Sequence, residues 1–167
     1  DVESRGLGDV YKRQHNLSVL ADRLGIADSV TFYGNKVGKE KSQILENTSV
    51  FVTTSHYESF GLVLLEAMDY GIPCLSFDSA KGSLDIIEDG KDGYIIKNRD
   101  LDQMANKLVE LLNNPSKELS KNAKDKANSY SYENVRKQWL DAFKNMNIHD
   151  LKTRVMFTSV SYTHLRA

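Results

Sequence analysis

A strand–helix–strand pattern in the middle of the chain limits its fold more than any other feature. Residues 50–53 form a near-continuous apolar run that is typical of a strand buried on both faces of a parallel sheet. Residues 61–70 carry apolar side chains at helical spacing, and residues 74–77 form a second short apolar run. Because two parallel strands need a crossover connection, this order predicts a parallel sheet with a helix packed on it.

The same alternation extends to both sides of this unit. Further strands are predicted at residues 30–33 and 94–96, and helices at 16–24, 39–47, 101–112, 117–129 and 132–146, with a loop at 78–83 and a helical turn at 84–88. The order predicts an α/β fold, a Rossmann-like doubly wound parallel sheet. Ligands of such sheets bind beyond the carboxyl ends of the strands, which directs attention to the residues after Phe32, Val52 and Phe77.

Composition excludes several classes of function. The chain has 167 residues, 40% of them hydrophobic, and a formal net charge of −1, which disfavours nucleic acid as a partner. The single cysteine, Cys74, excludes an intrachain disulfide and a cysteine-based zinc cluster, and its apolar surroundings predict a buried strand position. No apolar run approaches the roughly 18–20 residues of a membrane span, and no signal peptide is recognisable, so we expect a cytoplasmic protein.

The two ends share no pattern with the residues between them. We predict that residues 1–14 and 157–167 are non-native tails of a truncated gene fragment, and that one domain occupies residues 15–146. A pair of genuine frayed tails is the alternative interpretation.

The loop after residues 50–53 carries a possible ligand site. Glu58 lies just before the predicted helix at 61–70, Glu66 lies about two turns inside it, and Gly61 allows a ligand to approach the backbone closely. Helix N-termini favour anions, and carboxylates accept hydrogen bonds from hydroxyl groups, so a sugar diphosphate would suit this site. The alternative is that Glu58 and Ser59 only cap the helix and that Glu66 is exposed to solvent. The spacing alone does not distinguish the ligand site from this alternative.

The order of motifs resembles a known family. Glu58, seven residues, Glu66-Ala67-Met68, two residues and Gly71-Ile72-Pro73 match the signature of the retaining GT-B glycosyltransferases (family 4, or glycosyl transferases group 1). Residues 30–34, 82–87 and 89–94 are similar to further turns of that family, and the resemblance covers roughly residues 15–143. It implies the C-terminal, donor-binding half of a GT-B fold, truncated in this chain.

The resemblance also implies residue roles. Glu58 would act as the catalytic residue and hold the donor sugar, Glu66 would bind the ribose, and no metal and no cofactor besides a UDP- or GDP-type nucleotide-sugar donor would be needed. His56 would either contact the donor or only pack within its loop. The donor-binding set is then Glu58, Ser59, Phe60, Gly61, Leu62, Glu66, Gly34, Asn35, Lys36 and His56.

Two departures from the family pattern affect this expectation. The family turn has proline between the equivalents of Gly82 and Ser83, and this chain does not. The basic residues that neutralise the diphosphate in the family have no counterpart outside the suspected tail, where Lys12 and Arg13 lie, and we expect the fragment to lack the N-terminal acceptor domain. We therefore expect the fragment alone to be inactive.

The leading hypothesis is a retaining hexosyltransferase of polysaccharide or lipopolysaccharide biosynthesis. Its acceptor would be a glycan or glycolipid bound by the missing N-terminal domain, with peripheral contact at the inner face of the membrane. The alternatives are a non-catalytic nucleotide-sugar-binding fragment and a nucleotide-sugar epimerase, although epimerases lack the pattern from Glu58 to Met68.

Three apolar or charged patterns in the helical region have structural explanations. The stripe Leu101, Met104, Leu108 and Leu111 predicts core packing. Trp139 and Phe143 are expected to pack the last helix down, with some apolar surface left exposed. The lysines at 117, 121, 124 and 126 predict a solvated helix face.

Overall fold

The computed structural model describes residues 2–145, with side chains from Lys12 onward. It divides into two units, Asp1–Val37 and Gly38–Ala167, which are described separately. The predictions for Met146 and for residues 157–167 lie outside the described residues. The helices and strands are α1 Val2–Arg23, α2 Gly38–Glu46, β1 Phe51–Thr53, α3 Leu62–Asp69, β2 Cys74–Phe77, α4 Lys81–Ile86, β3 Gly93–Ile96, α5 Leu101–Asn113, α6 Lys117–Ser129 and α7 Tyr132–Asn145.

The first unit consists of α1 and the segment that follows it. Helix α1 begins at Val2, well before the predicted start at residue 16, and ends at Arg23, one residue before the predicted end, with Gly25 in a left-handed conformation (φ 68°). The strand predicted at residues 30–33 is wrong, because these residues have no strand partner in the described structure and Phe32 and Tyr33 are exposed. Strand propensity reflects a fit to a half-buried pleated surface, so β-branched and aromatic residues alone do not make a strand.

The second unit contains a three-stranded parallel sheet in the order β1-β2-β3. Strand β2 has the predicted limits, while β1 and β3 differ from the prediction by one residue at their first position. Val52 lies beside Leu75, and Leu75 lies beside Tyr94, so β2 is the central strand. The parallel sheet with interleaved helices confirms the predicted α/β fold class.

Strand β2 is buried on both faces of the sheet. Cys74 faces an apolar cluster formed with α3 and α4, which includes Leu64, Met68 and Ile86. Leu75 and Phe77 face a second cluster that α5 and α6 complete through Met104, Leu111 and Leu119. Helices therefore cover both faces, which explains why the sequence of β2 is continuously apolar apart from one serine.

Helix α4 differs from its prediction. A loop was expected at residues 78–83 and a helical turn at 84–88, whereas the helix spans Lys81–Ile86. Gly82 is a poor helix former, but its amide donates to the Glu58 carbonyl at 2.9 Å. The buried hydroxyl groups of Ser76 and Ser83 are 2.8 Å apart. These tertiary contacts outweigh the local preference and start the helix earlier.

A tight turn precedes β3, as the cluster of aspartates and glycines predicts. The Asp89 carboxylate accepts from the Ile95 amide at 2.9 Å, and the Asp92 carboxylate accepts from the Glu88 amide at 2.8 Å. Asp92 is almost fully buried and pairs with Lys126 at 3.4 Å. The prediction that Lys126 belongs to a solvated face is therefore wrong, because this ammonium group compensates a buried carboxylate.

The three C-terminal helices differ in how much they bury. Helix α5 is capped by Asp100 and buries Met104 and Leu111 as predicted, but Leu101 is 70% exposed because it occupies the first helical position, outside the core. Helix α7 buries none of its described residues, and Trp139 is 50% exposed. Trp139 is therefore not buried as expected, while Phe143 is half-buried, and their rings lie 5.7 Å apart. The exposure of Trp139 agrees with the prediction that some apolar surface of this helix is left exposed.

None of the described helices is both long enough and apolar enough to cross a membrane.

Candidate functional site

The carboxyl ends of β1, β2 and β3 meet at one edge of the sheet, where ligands of doubly wound folds bind. Three segments follow the strands there: residues 54–61 after β1, 78–80 after β2 and 97–100 after β3. We refer to the first of these, Thr54 to Gly61, as the site loop. It contains the predicted residues His56, Glu58 and Gly61.

The site loop ends at the N-terminus of α3. Gly61 has φ 86°, a left-handed conformation that side chains rarely adopt, and it forms the N-cap of the helix. The Glu58 carboxylate accepts from the Gly61 amide at 3.2 Å. Glu58 thus contacts the start of the helix, as the capping interpretation requires. A carboxylate has several acceptor positions, however, so the Glu58 carboxylate can still bind a hydroxyl group.

Glu66 is partly buried, whereas the alternative interpretation required it to be exposed to solvent. It lies in the second turn of α3, its side chain is 21% exposed, and its carboxylate pairs with the Lys41 ammonium on α2. Lys41 was not identified from the sequence. The pattern of residues 39–47 predicted the helix, but only the packing of α2 near α3 brings a lysine to a carboxylate 25 positions away.

Gly82 on α4 lies directly against the site loop. A Cβ atom at this position would come within 2.7 Å of the Phe60 nitrogen and 2.8 Å of the Glu58 carbonyl oxygen, both backbone atoms. The backbone at Gly82 therefore packs closely against the loop that carries Glu58 and supports it. This is the segment, Gly82-Ser83, that lacks the proline of the family pattern.

Arg99 is a second residue that the sequence did not reveal. Its guanidinium donates to the Ser55 carbonyl at 3.2 Å, the Thr54 carbonyl at 3.1 Å and the Ser79 hydroxyl at 2.9 Å. It also lies 4.4 Å above the centre of the Phe77 ring. Arg99 thus links the segments that follow all three strands.

The remaining predicted residues of the loop differ in exposure. His56 and Ser59 are exposed, so the interpretation of His56 as a packed histidine is wrong, and Leu62 is half-buried at the start of α3. Phe60 is 42% exposed, and its ring makes an edge-on contact with Tyr130 at 5.9 Å. Tyr130 also donates to the Asp85 carbonyl at 3.3 Å.

Gly34, Asn35 and Lys36 belong to the first unit. Gly34 has φ 65°, which confirms the turn predicted after residue 33. Lys36 is half-buried, whereas Gly34 and Asn35 are exposed. Their role as donor contacts stays a prediction based on the resemblance.

Two further features lie away from the site loop. Cys74 is fully buried, and burial, together with the charge of Asp92, raises the pKa of its thiol to about 12. A cavity of about 370 Å³ lies beside β3, α5 and α6, where Tyr94 and Leu111 line it, and contains none of the predicted site residues. Among the residues described, no three His, Cys, Asp or Glu side chains are grouped as they would be to hold a metal ion.

Several known proteins are similar to this chain in sequence or in structure. A poly(ribitol-phosphate) alpha-N-acetylglucosaminyltransferase of Staphylococcus aureus (strain COL) is 38% identical over 104 residues, covering 60% of this chain and 21% of that protein. The crystal structure of TarM matches with a TM-score of 0.67 and 31% identity over 77% of this chain and 26% of that one. The pneumococcal O-GlcNAc transferase GtfA, solved in complex with UDP and GlcNAc, matches with a TM-score of 0.65 and 27% identity over 81% of this chain and 28% of that one.

These relatives are much longer than the chain, which spans 14% to 36% of the length of four curated relatives that it matches. The structural relatives are GT-B glycosyltransferases, so the chain has the fold of part of a GT-B enzyme. The sequence pattern of the glycosyl transferases group 1 matches residues 8–130, which is most of the chain and includes part of the predicted N-terminal tail. The predicted family is thereby confirmed: the chain belongs to the glycosyl transferases group 1.

Proposed function

We propose that this chain forms the donor-binding half of a retaining hexosyltransferase that transfers a sugar from a nucleotide-sugar to a glycan or glycolipid acceptor. The observation that carries the proposal is the placement of Glu58 and Glu66 around the N-terminus of α3, at the carboxyl edge of the sheet. Family membership supports the transfer of a sugar, since related proteins are N-acetylglucosaminyltransferases.

The chemistry of this arrangement suits a sugar nucleotide. The first amides of any α-helix lack intrahelical acceptors and carry partial positive charge, so the start of α3 would stabilise the negatively charged diphosphate. The Glu58 carboxylate would accept hydrogen bonds from hydroxyls of the transferred sugar, and Glu66 would accept them from the ribose. Ser59, Phe60, Gly61, Leu62 and His56 would complete the contacts of the loop, with Gly34, Asn35 and Lys36 beside the base.

The part of the reaction outside this chain is also proposed. The acceptor would bind a second domain, and a basic group that neutralises the diphosphate would come from residues other than those of the site loop. The chain alone would then bind the donor without transferring its sugar. The protein would act in the cytoplasm, with contact at the inner face of the membrane when the acceptor is a glycolipid.

Isothermal titration calorimetry of the 167-residue chain with UDP-GlcNAc, UDP-glucose, GDP-mannose and ADP-glucose tests donor binding. UDP-GlcNAc is the first probe because a structural relative was solved with UDP and GlcNAc. Loss of charge-assisted hydrogen bonds in Glu66→Ala should weaken binding by about 1.5–3 kcal/mol, or about 10- to 150-fold.

The matched control is Glu46→Ala, which removes an exposed glutamate at the end of α2 and should leave the affinity unchanged. No binding of any of the four donors, or equal affinity of Glu66→Ala and the unaltered chain, would contradict the proposal.

A further inference from the structure

Two consecutive residues after β3 have backbone conformations that side chains rarely adopt. Asn98 has φ 55° and Arg99 has φ 52°, and both lie in the left-handed region. Asparagine enters this region several times more often than most residues, but arginine does so seldom. Such strain persists only where the surrounding structure compensates for it, and it is concentrated at functional sites.

The strained turn directs the Arg99 side chain onto the site loop. Its guanidinium donates to the carbonyls of Thr54 and Ser55, the first two residues after β1, and to the hydroxyl of Ser79 after β2. Hydrogen bonds from a charged donor are stronger than those between neutral groups. The turn itself is held in place, since the Asn98 amide donates to the Asp78 carboxylate at 3.2 Å.

A different contact holds the other end of the site loop. The Glu58 carbonyl accepts from the Gly82 amide at 2.9 Å, and the Glu58 carboxylate accepts from the Gly61 amide at 3.2 Å. Between the two attachment points the loop is open to solvent at Tyr57, which is 93% exposed. The Arg99 contacts therefore fix the start of the loop beside β1, and the Gly82 contact fixes the part of the loop that precedes α3.

We propose that Arg99 is a positioning residue that holds the site loop, and thereby Glu58, in the arrangement that binds the donor. This inference rests on the proposed function for the identity of the ligand. The claim that Arg99 holds the loop depends only on the contacts of its guanidinium group. Arg99 lies above Phe77, a member of the second apolar cluster, and from there its guanidinium donates to the loop carbonyls of Thr54 and Ser55.

The test separates the side chain of Arg99 from its backbone conformation. Arg99→Gly keeps a residue that adopts positive φ readily but removes the guanidinium. Asn98→Gly is the matched control, since it relieves the same kind of backbone strain and retains Arg99. Arg136→Gln on α7 removes an equal charge from a residue that makes none of the loop contacts.

Amide hydrogen exchange followed by NMR on the 167-residue chain measures the loop directly, at Ser55 and Gly61. In Arg99→Gly these amides should exchange about tenfold faster, equivalent to about 1.4 kcal/mol, while Met104 and Leu111 in the core keep their rates. Both controls should match the unaltered chain. Equal exchange of Ser55 and Gly61 in Arg99→Gly and the unaltered chain would overturn the inference, as would a uniform acceleration that includes Met104 and Leu111.

Titration of the same variants with UDP-GlcNAc separates the inference from the proposed function. We expect about tenfold weaker binding in Arg99→Gly and unchanged binding in the two controls. Faster loop exchange combined with undiminished UDP-GlcNAc affinity would overturn the link between Arg99 and the donor. Faster loop exchange in a chain that binds no donor at all would uphold Arg99 as the residue that holds the loop and overturn the donor assignment instead.

Discussion

Strand β2 and the carboxyl edge of the sheet are adjacent in the second unit but are stabilised by different forces. All four residues of β2 are fully buried, and apolar clusters lie on both of its faces. At the edge, the site loop is held by hydrogen bonds from Arg99 and Gly82 while its tip is exposed. The interior derives its stability from burial, which many apolar residues provide. The conformation of the loop at the edge depends on a few polar contacts, each of which holds one part of the loop.

The largest expected effect concerns the interior. Because the pKa of the Cys74 thiol is raised from 9.0 to about 12, its thiolate fraction at neutral pH should be about a thousandfold smaller than that of an unfolded cysteine. Iodoacetamide should therefore modify the folded chain at least a thousandfold more slowly than the chain in denaturant. Rapid labelling under native conditions would show that the interior opens as easily as the edge.

The raised pKa of the Cys74 thiol also makes the free energy of unfolding depend on pH. A thiol whose pKa is higher in the folded than in the unfolded chain contributes stability that is complete below pH 9 and is lost as the pH rises toward about 12. Urea unfolding of the unaltered chain and of Cys74→Ala, compared across this range, should show a steeper loss in the unaltered chain.

A smaller effect is expected where the interior meets the edge. In Gly82→Ala the new methyl group would lie within 2.8 Å of the Glu58 and Phe60 backbone, so the loop or α4 must shift, at a cost of about 1–3 kcal/mol in the free energy of unfolding. Donor affinity should fall as well, since the shift moves Glu58. Urea unfolding and calorimetry with UDP-GlcNAc measure the two effects, and a variant that retains both values would remove Gly82 from the support of the loop.

The smallest effect on stability is expected at the Lys41–Glu66 pair. Its side chains are 33% and 21% exposed, and ion pairs near the surface contribute little, so Lys41→Met should change the free energy of unfolding by less than about 1 kcal/mol. Lys39→Met provides a control on the same helix, at an exposed position. A loss of several kcal/mol in Lys41→Met alone would show that this part of the site contributes to stability as strongly as the interior does.

The parts of the fold that follow from local patterns agree with the structure. Residues 74–77 and 117–129 match β2 and α6 at both ends, because a continuous apolar run and a capped helical pattern each define their own limits. Residues 30–33 have equally strong strand character but form no strand in the described structure, since a strand exists only where a neighbour accepts its hydrogen bonds. Trp139 shows a similar limit for helices, because apolar spacing predicts which residues share a face and does not determine how deeply each is buried, and Trp139 is 50% exposed.

The sequence by itself determined the family, the parallel arrangement of the central strands and the position of Glu58 before α3, because these depend on the order and spacing of neighbouring residues. Only the tertiary structure decided that Lys41 pairs with Glu66, that Gly82 supports the site loop and that Arg99 holds its first residues. These contacts join residues 24 to 45 positions apart, and the packing of whole elements brings them together. No local pattern specifies such a contact, because its free energy arises only after the sheet and its helices have assembled.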